Sequence, residues 1–200
     1  MSGNALDARA REVLDFWFGA AGSPERGRER KLWFRKREAF DVQLRERFGA
    51  LLEAARAGEC DAWCATPEGA LALVIVLDQF SRNCLRGTPQ AFSADAKALA
   101  VACAMVESGA DRRLPDAYHR VFAYMPFEHA ESMEMQRESL RLFGELAKQP
   151  APGLAGFYDY ARRHAEVIER FGRFPHRNAL LGRASTEAEL AFLREPGSRF

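Results

Sequence analysis

Residues 70–77 read Ala-Leu-Ala-Leu-Val-Ile-Val-Leu, eight positions without a polar side chain. Thr66 and Pro67 stand just ahead of the run, a capping hydroxyl followed by proline at a first helical position, so the run reads as helix. A helix on a protein surface needs only an apolar stripe, whereas one that is apolar on every side needs neighbours all round. The chain must therefore surround this segment with other elements. Asp78, Gln79, Arg82 and Asn83 follow within the next six residues, so polar groups end partly buried beside the core. Asp78 and Arg82 have the four-residue spacing that pairs charges on one helix face, and Gln79 and Asn83 share it. A buried polar group left without a partner costs about 1–3 kcal/mol, so distant parts of the chain must supply the remaining partners.

The rest of the sequence reads as further helices. Residues 5–19 place Leu6, Ala10, Val13, Leu14, Trp17 and Phe18 on one stripe, with Gly19 as a stop. Residues 37–59 carry a second stripe through Phe40, Leu44, Phe48, Leu51, Leu52 and Ala55, stopping at Gly58. A helix begins at Ser93 and stops at Gly109; a short one over 116–125 breaks before Pro126; a long one then starts at Phe127. That division sets Glu128, His129 and Glu131 at a helix start, and His119 at the surface or rim. Residues 156–172 form another amphipathic helix, with His164 on its apolar face, and Thr186 with Glu189 has capping-box spacing before the last. No segment alternates with a two-residue period. The expectation is an all-α single domain over 1–200, of eight or nine helices with short connections.

Composition narrows the function classes. A formal net charge of +1 lacks the basic excess of a nucleic-acid binder. No apolar run approaches the roughly 20 residues that cross a bilayer, and the N-terminal residues lack the apolar core of a secretory signal. Cys60, Cys64, Cys84 and Cys103 show no CxxC spacing, the usage of free thiols in a reducing compartment. The reading is a soluble cytoplasmic protein without nucleic-acid or membrane partners; nothing in the sequence sets its oligomeric state.

The densest chemistry lies in residues 170–186, where Arg170, Arg173, Arg177 and Arg183 surround His176 and Asn178. Arg-Asn-x-Leu-x-Gly occurs there at 177–182 and again at 82–87. In each copy the arginine offers a fork of donors suited to carboxylate or phosphate, and the asparagine can bond a backbone. Residues 125–136 form a third polar run. Buried polar groups need one another, so the segments around Asp78, His129 and His176 are expected to meet. The candidate site is Asp78, Gln79, Arg82, Asn83, Glu128, His129, His164, Arg173, His176, Arg177 and Asn178. His129, Glu128 and His176 are the candidates for acid–base chemistry; a satisfied core histidine is the plainer reading of His164. No HxxxH or HxH pair offers local metal-ligand spacing, no GxSxG marks a nucleophile, and no phosphate loop is present; no cofactor is expected.

Several longer stretches carry a resemblance: VLDFWFG at 13–19, TPEGALALVIVLDQFSRN at 66–83, YMPFEHAESMEMQ at 124–136, and RFGRFPHRNALLGRAST at 170–186. Through them the chain resembles, nearly end to end, the DUF924 family, a bacterial family of unknown function also present in some eukaryotes. The resemblance implies a tetratricopeptide-like fold of helical hairpins stacked into a superhelix. It implies no catalytic residue. The expected function is a binding module for a peptide or an anionic small molecule, with Arg82, Arg173 and Arg177 clamping the anion and Asn83 and Asn178 bonding a peptide backbone. The alternatives are a small enzyme working on an anionic metabolite through histidine and carboxylate, and a purely structural hydrogen-bond network.

Overall fold

The computed structural model describes residues 5–198, so the first four residues of the N-terminal stretch read for a secretory signal lie outside it. Eight helices, and no strand, are present among the described residues. They are α1 (Ala8–Phe18), α2 (Glu38–Ala57), α3 (67–84), α4 (Asp95–Glu107), α5 (Ala117–His129), α6 (Met133–Ala147), α7 (Leu154–Phe171) and α8 (Glu187–Phe192). None is long and apolar enough to cross a membrane.

The central helix α3 is where the all-apolar run places it. Every residue from Gly69 to Ser81 is buried, and α1, α2, α4 and α5 all pack on this helix or its continuation. Thr66 Oγ1 accepts from the Gly69 amide and Pro67 sits in the first turn. A Cβ at Gly69 would overlap the Trp63 carbonyl, so the close approach of the preceding turn requires glycine. Aromatic rings close the far side: Phe80 lies 4.9 Å from Phe48 and 5.7 Å from Trp17, which in turn meets Phe122 edge-on at 5.4 Å.

Helix α3 is not uniform. Pro67–Val74 is α-helical, Ile75–Phe80 is π-helical, and Ser81–Cys84 returns to α. A π turn carries one extra residue and recurs at functional positions; here it holds Asp78 and Gln79. No periodicity in the sequence signals it.

Two helix boundaries and the burial of His119 differ from the sequence reading. Helix α5 does not break before Pro126 but runs through it to His129. Pro126 cannot donate a helical hydrogen bond, yet the whole stretch from Val121 to Glu128 is buried, and its tertiary packing outweighs the local preference. Glu128 and His129 therefore stand at a helix C-terminus, and the next helix starts only at Met133. His119 is fully buried: its ring stacks on Phe18 at 3.8 Å and Nδ1 lies 2.8 Å from Asp116 Oδ1. Ahead of α2, Trp33 is core, while Phe34 is 52% exposed. The capping box of Thr186 and Glu189 is present as spaced.

Candidate functional site

The distant polar runs meet. His129, at the end of α5, brings Nδ1 within 2.8 Å of Asp78 Oδ1 on the π turn, 51 positions earlier. Asp78 is held from three more directions. Arg82 Nη1 lies 2.9 Å from the same Oδ1 and donates to the Asp78 carbonyl at 2.9 Å, and Gln79 Nε2 donates to Oδ2 at 2.6 Å. Arg82 also forks onto Asp95 at the start of α4, with both N–O distances 2.9 Å. Arg177, from the 3₁₀ turn Pro175–Arg177, donates to the His129 carbonyl at 3.0 Å and reaches Asp95 Oδ2 at 3.4 Å. Its guanidinium lies against two rings, Phe174 at 4.5 Å and Phe92 at 4.8 Å, which fix its plane by stacking and cation–π attraction.

A helix end leaves carbonyls without intrahelical donors, and the end of α5 is buried. Gln136 Nε2 donates to the carbonyls of Glu128 at 2.7 Å and Ala130 at 2.8 Å, and Arg177 takes that of His129. Arg177 thus has structural work as well, a cation at a helix C-terminus where the dipole favours it. Beneath this layer, Glu128 Oε1 lies 3.0 Å from His164 Nδ1 on α7. The same nitrogen is 2.9 Å from the Tyr160 carbonyl. A carbonyl only accepts, so His164 Nδ1 carries the hydrogen. Glu131 holds the C-terminal segment: its carboxylate takes both Nη groups of Arg183, at 2.6 and 2.9 Å, and the Phe174 amide at 2.7 Å.

Burial and charge set the protonation states. Burial pushes the Asp78 carboxyl up, but Arg82 and His129 outweigh it and hold the group well below the usual carboxylate range. Burial, with the Asp78 charge second, pushes Glu128 up to about 8. His129 is lowered by burial and by Arg82, and His164 falls well below its ordinary value through burial and the neighbouring His129. Burial and then Arg177 lower His176 to about 3. Burial, followed by repulsion from Arg82, lowers Arg177 to about 10. At neutral pH the cluster therefore holds neutral histidines, a protonated Glu128, and two guanidiniums facing the carboxylates of Asp78 and Asp95. The Glu128–His164 contact is then a neutral pair, not a salt bridge.

Eight of the expected residues share this place: Asp78, Gln79, Arg82, Glu128, His129, His164, His176 and Arg177. The other three do not. Asn83 points away and donates to Asp41 at 2.8 Å, beside Arg86; Gln79 does not pair with it but reaches Met125 Sδ at 3.2 Å. Arg173 forks onto Glu189 at 2.7 and 2.9 Å. Asn178 lies between Ser185, 3.0 Å away, and Arg183, 2.9 Å away. The two Arg-Asn hexamers thus each send the arginine inward and the asparagine elsewhere. Sequence reasoning missed Asp95, the carboxylate shared by both arginines. It also missed Phe92 and Gln136. Asp95 looks like an ordinary acidic residue in a first helical turn, so its partners have no local signal.

The described edge of the site is open: the side chains of His129, Arg82 and Asp95 are 15%, 19% and 22% exposed. That edge exposes part of an imidazole, the Arg82 guanidinium and a carboxylate, while Arg177 is buried behind them at 6%.

Comparison with known proteins agrees with this architecture. A protein of unknown function from Agrobacterium tumefaciens, ATU0120, has a solved structure that superposes with a TM-score of 0.80. The two are 36% identical over 94% of this chain and 97% of that one. No curated protein matches. The family model described as a bacterial protein of unknown function, DUF924, matches residues 13–197. With the match running across the central helix, the π turn and all three polar segments, the chain belongs to the DUF924 family.

Proposed function

We propose that the chain holds a small anionic ligand, a carboxylate or phosphate, at the edge where Arg82 and Arg177 converge beside His129 and His176. The observation that carries this reading is Arg177's weak share of Asp95: Arg82 holds Asp78 and both oxygens of Asp95 at 2.9 Å, whereas Arg177 reaches Asp95 only at 3.4 Å. Arg177 Nε is buried without an acceptor among the described residues. An anion beside Arg177 would give it the close anionic partner it lacks among the described residues and offset the repulsion from Arg82, and a forked guanidinium lying against two rings suits planar oxyanions. A peptide is less well served, because Asn83 and Asn178 are engaged elsewhere.

Calorimetric titration with inorganic phosphate, small di- and tricarboxylates and a short peptide with a free C-terminus tests this. Wild type is expected to bind at least one small anion. Arg177→Met should weaken that binding by about 100-fold, the worth of a charge-assisted bidentate contact. Its cost in stability should be only about 1–2 kcal/mol, because Asp95 keeps Arg82. Equal affinity in both proteins, or wild-type binding of none of the probes, would overturn the reading.

A second reading, acid–base catalysis on the bound anion, is favoured by the Asp78–His129 pair. A buried carboxylate fixing an imidazole that is itself 15% exposed is the arrangement of a general base with its orienting group. Incubation with whichever anions bind, followed by mass spectrometry, tests it. A product that His129→Gln no longer makes supports the reading; unchanged ligand in every case removes it.

A further inference from the structure

From Glu128, His129 and His164 we infer a binding site for a divalent transition-metal cation. Each of the three offers a ligating atom, and the three atoms lie within 4.8 Å of one another. The residues come from the end of α5 and the middle of α7, so no short spacing in the sequence announces them. Two imidazoles and one carboxylate are a ligand set that suits zinc or a ferrous or manganous ion and leaves positions open for water or substrate.

A second and independent feature is what stands behind the ligands. Ligating histidines characteristically donate their other ring N–H to a carboxylate or a backbone carbonyl, which fixes the tautomer and aims the lone pair. Both histidines do so here. His129 gives Nδ1 to Asp78 Oδ1 at 2.8 Å, and His164 gives Nδ1 to the Tyr160 carbonyl at 2.9 Å. In each ring the lone pair is thereby assigned to Nε2, while Glu128 Oε1 stands 3.0 Å from His164 Nδ1, so the carboxylate turns towards the Nε2 side to share a cation with that ring. The carboxylate behind His129 is itself gripped by Arg82 and Gln79, so the orientation is enforced from a rigid helix.

The charges around the three are also suitable. Glu128 is 5% exposed, and a carboxylate buried that deeply needs a counter-charge. A divalent cation supplies the missing counter-charge at that point. It would also turn a cluster whose guanidiniums and carboxylates balance into one with a positive excess, at the edge where Arg82 and Arg177 present their donors. The inference stands without the anion reading, since cation binding needs no ligand at the arginines.

The test uses the full chain, stripped with a chelator and kept in buffer free of phosphate and carboxylates. Titration with cobalt(II), followed by its visible absorption, and with zinc, followed by thermal melting, should show saturation near one equivalent and a raised Tm. Glu128→Gln and His164→Gln should each weaken cobalt binding by more than the roughly 10- to 100-fold typical of losing an outer partner. Arg173→Gln, whose side chain faces Glu189, should bind like wild type. No stoichiometric uptake by wild type would overturn the inference, whatever the variants do. So would uptake that both ligand variants leave unchanged while circular dichroism shows them folded. Because the buffer holds no anion, failure here leaves the anion titration standing, and failure of that titration leaves this result standing.

Discussion

Asp78→Ala is expected to lower the unfolding free energy by about 3–5 kcal/mol, the cost of removing one member of a buried charge pair. Asp78 is 1% exposed and accepts from Arg82, His129 and Gln79 together. Its loss leaves a cation facing the core with only Asp95 in reach and leaves His129 Nδ1 without its acceptor. Urea denaturation followed by circular dichroism measures this directly. Adding Arg82→Met to Asp78→Ala should recover part of the loss, because two residues in one pair do not act additively. A change below about 1 kcal/mol for Asp78→Ala would mean that the carboxylate is solvated in solution and the cluster is not the buried unit described above.

Between pH 6.5 and 4.5, stability is expected to fall steeply with acidification. Three histidines, His129, His164 and His176, have folded pKa values below their ordinary one, all through burial first. The folded chain binds those protons more weakly than the unfolded chain does, so their contribution is complete above about pH 6.5 and is lost as the pH falls towards the folded values. Glu128 acts in the opposite sense. Its value is raised to about 8, so folding takes up a proton there, and that contribution is complete below its ordinary value of 4.5 and is lost as the pH rises through 8. Three groups against one leave a net loss on acidification. Metal-free His176→Gln should flatten the slope by about 1.4 kcal/mol per pH unit, and Glu128→Gln should steepen it by about as much. Melts in a single chelator-containing buffer series check both signs; a slope that neither variant changes would contradict the protonation states assigned above.

Much of the fold was legible because its strongest signals are non-local demands written locally. The all-apolar run of α3 calls for neighbours on every side, and it has them. The polar tail beginning at Asp78 calls for distant partners, and His129 supplies one. What failed did so where tertiary packing overrode a local rule. Pro126 reads as a helix boundary, but a buried turn carries α5 past it. That single residue moved Glu128 and His129 from the start of one helix to the end of another, and with it reversed the reason for their chemistry. His119 beside Arg120 reads as surface, and stacking on Phe18 is invisible in sequence. Of the repeated Arg-Asn pattern, the structure brings Arg82 and Arg177 into the cluster and sends Asn83 and Asn178 elsewhere. Asp95 was missed because a carboxylate in a first helical turn has an ordinary explanation that hides its second use. The π turn has no sequence signal at all.

Asp78, His129, Arg82 and Arg177 form one buried cluster, and the proposed ligand is an anion at its edge. A crystal structure of wild type grown without sulfate and soaked in phosphate tests this most directly. The account predicts tetrahedral density within hydrogen-bond distance of both Arg82 and Arg177, with His129 Nδ1 still on Asp78. Density at other surfaces only, with Arg82 and Arg177 still divided over Asp95 as before, would contradict it.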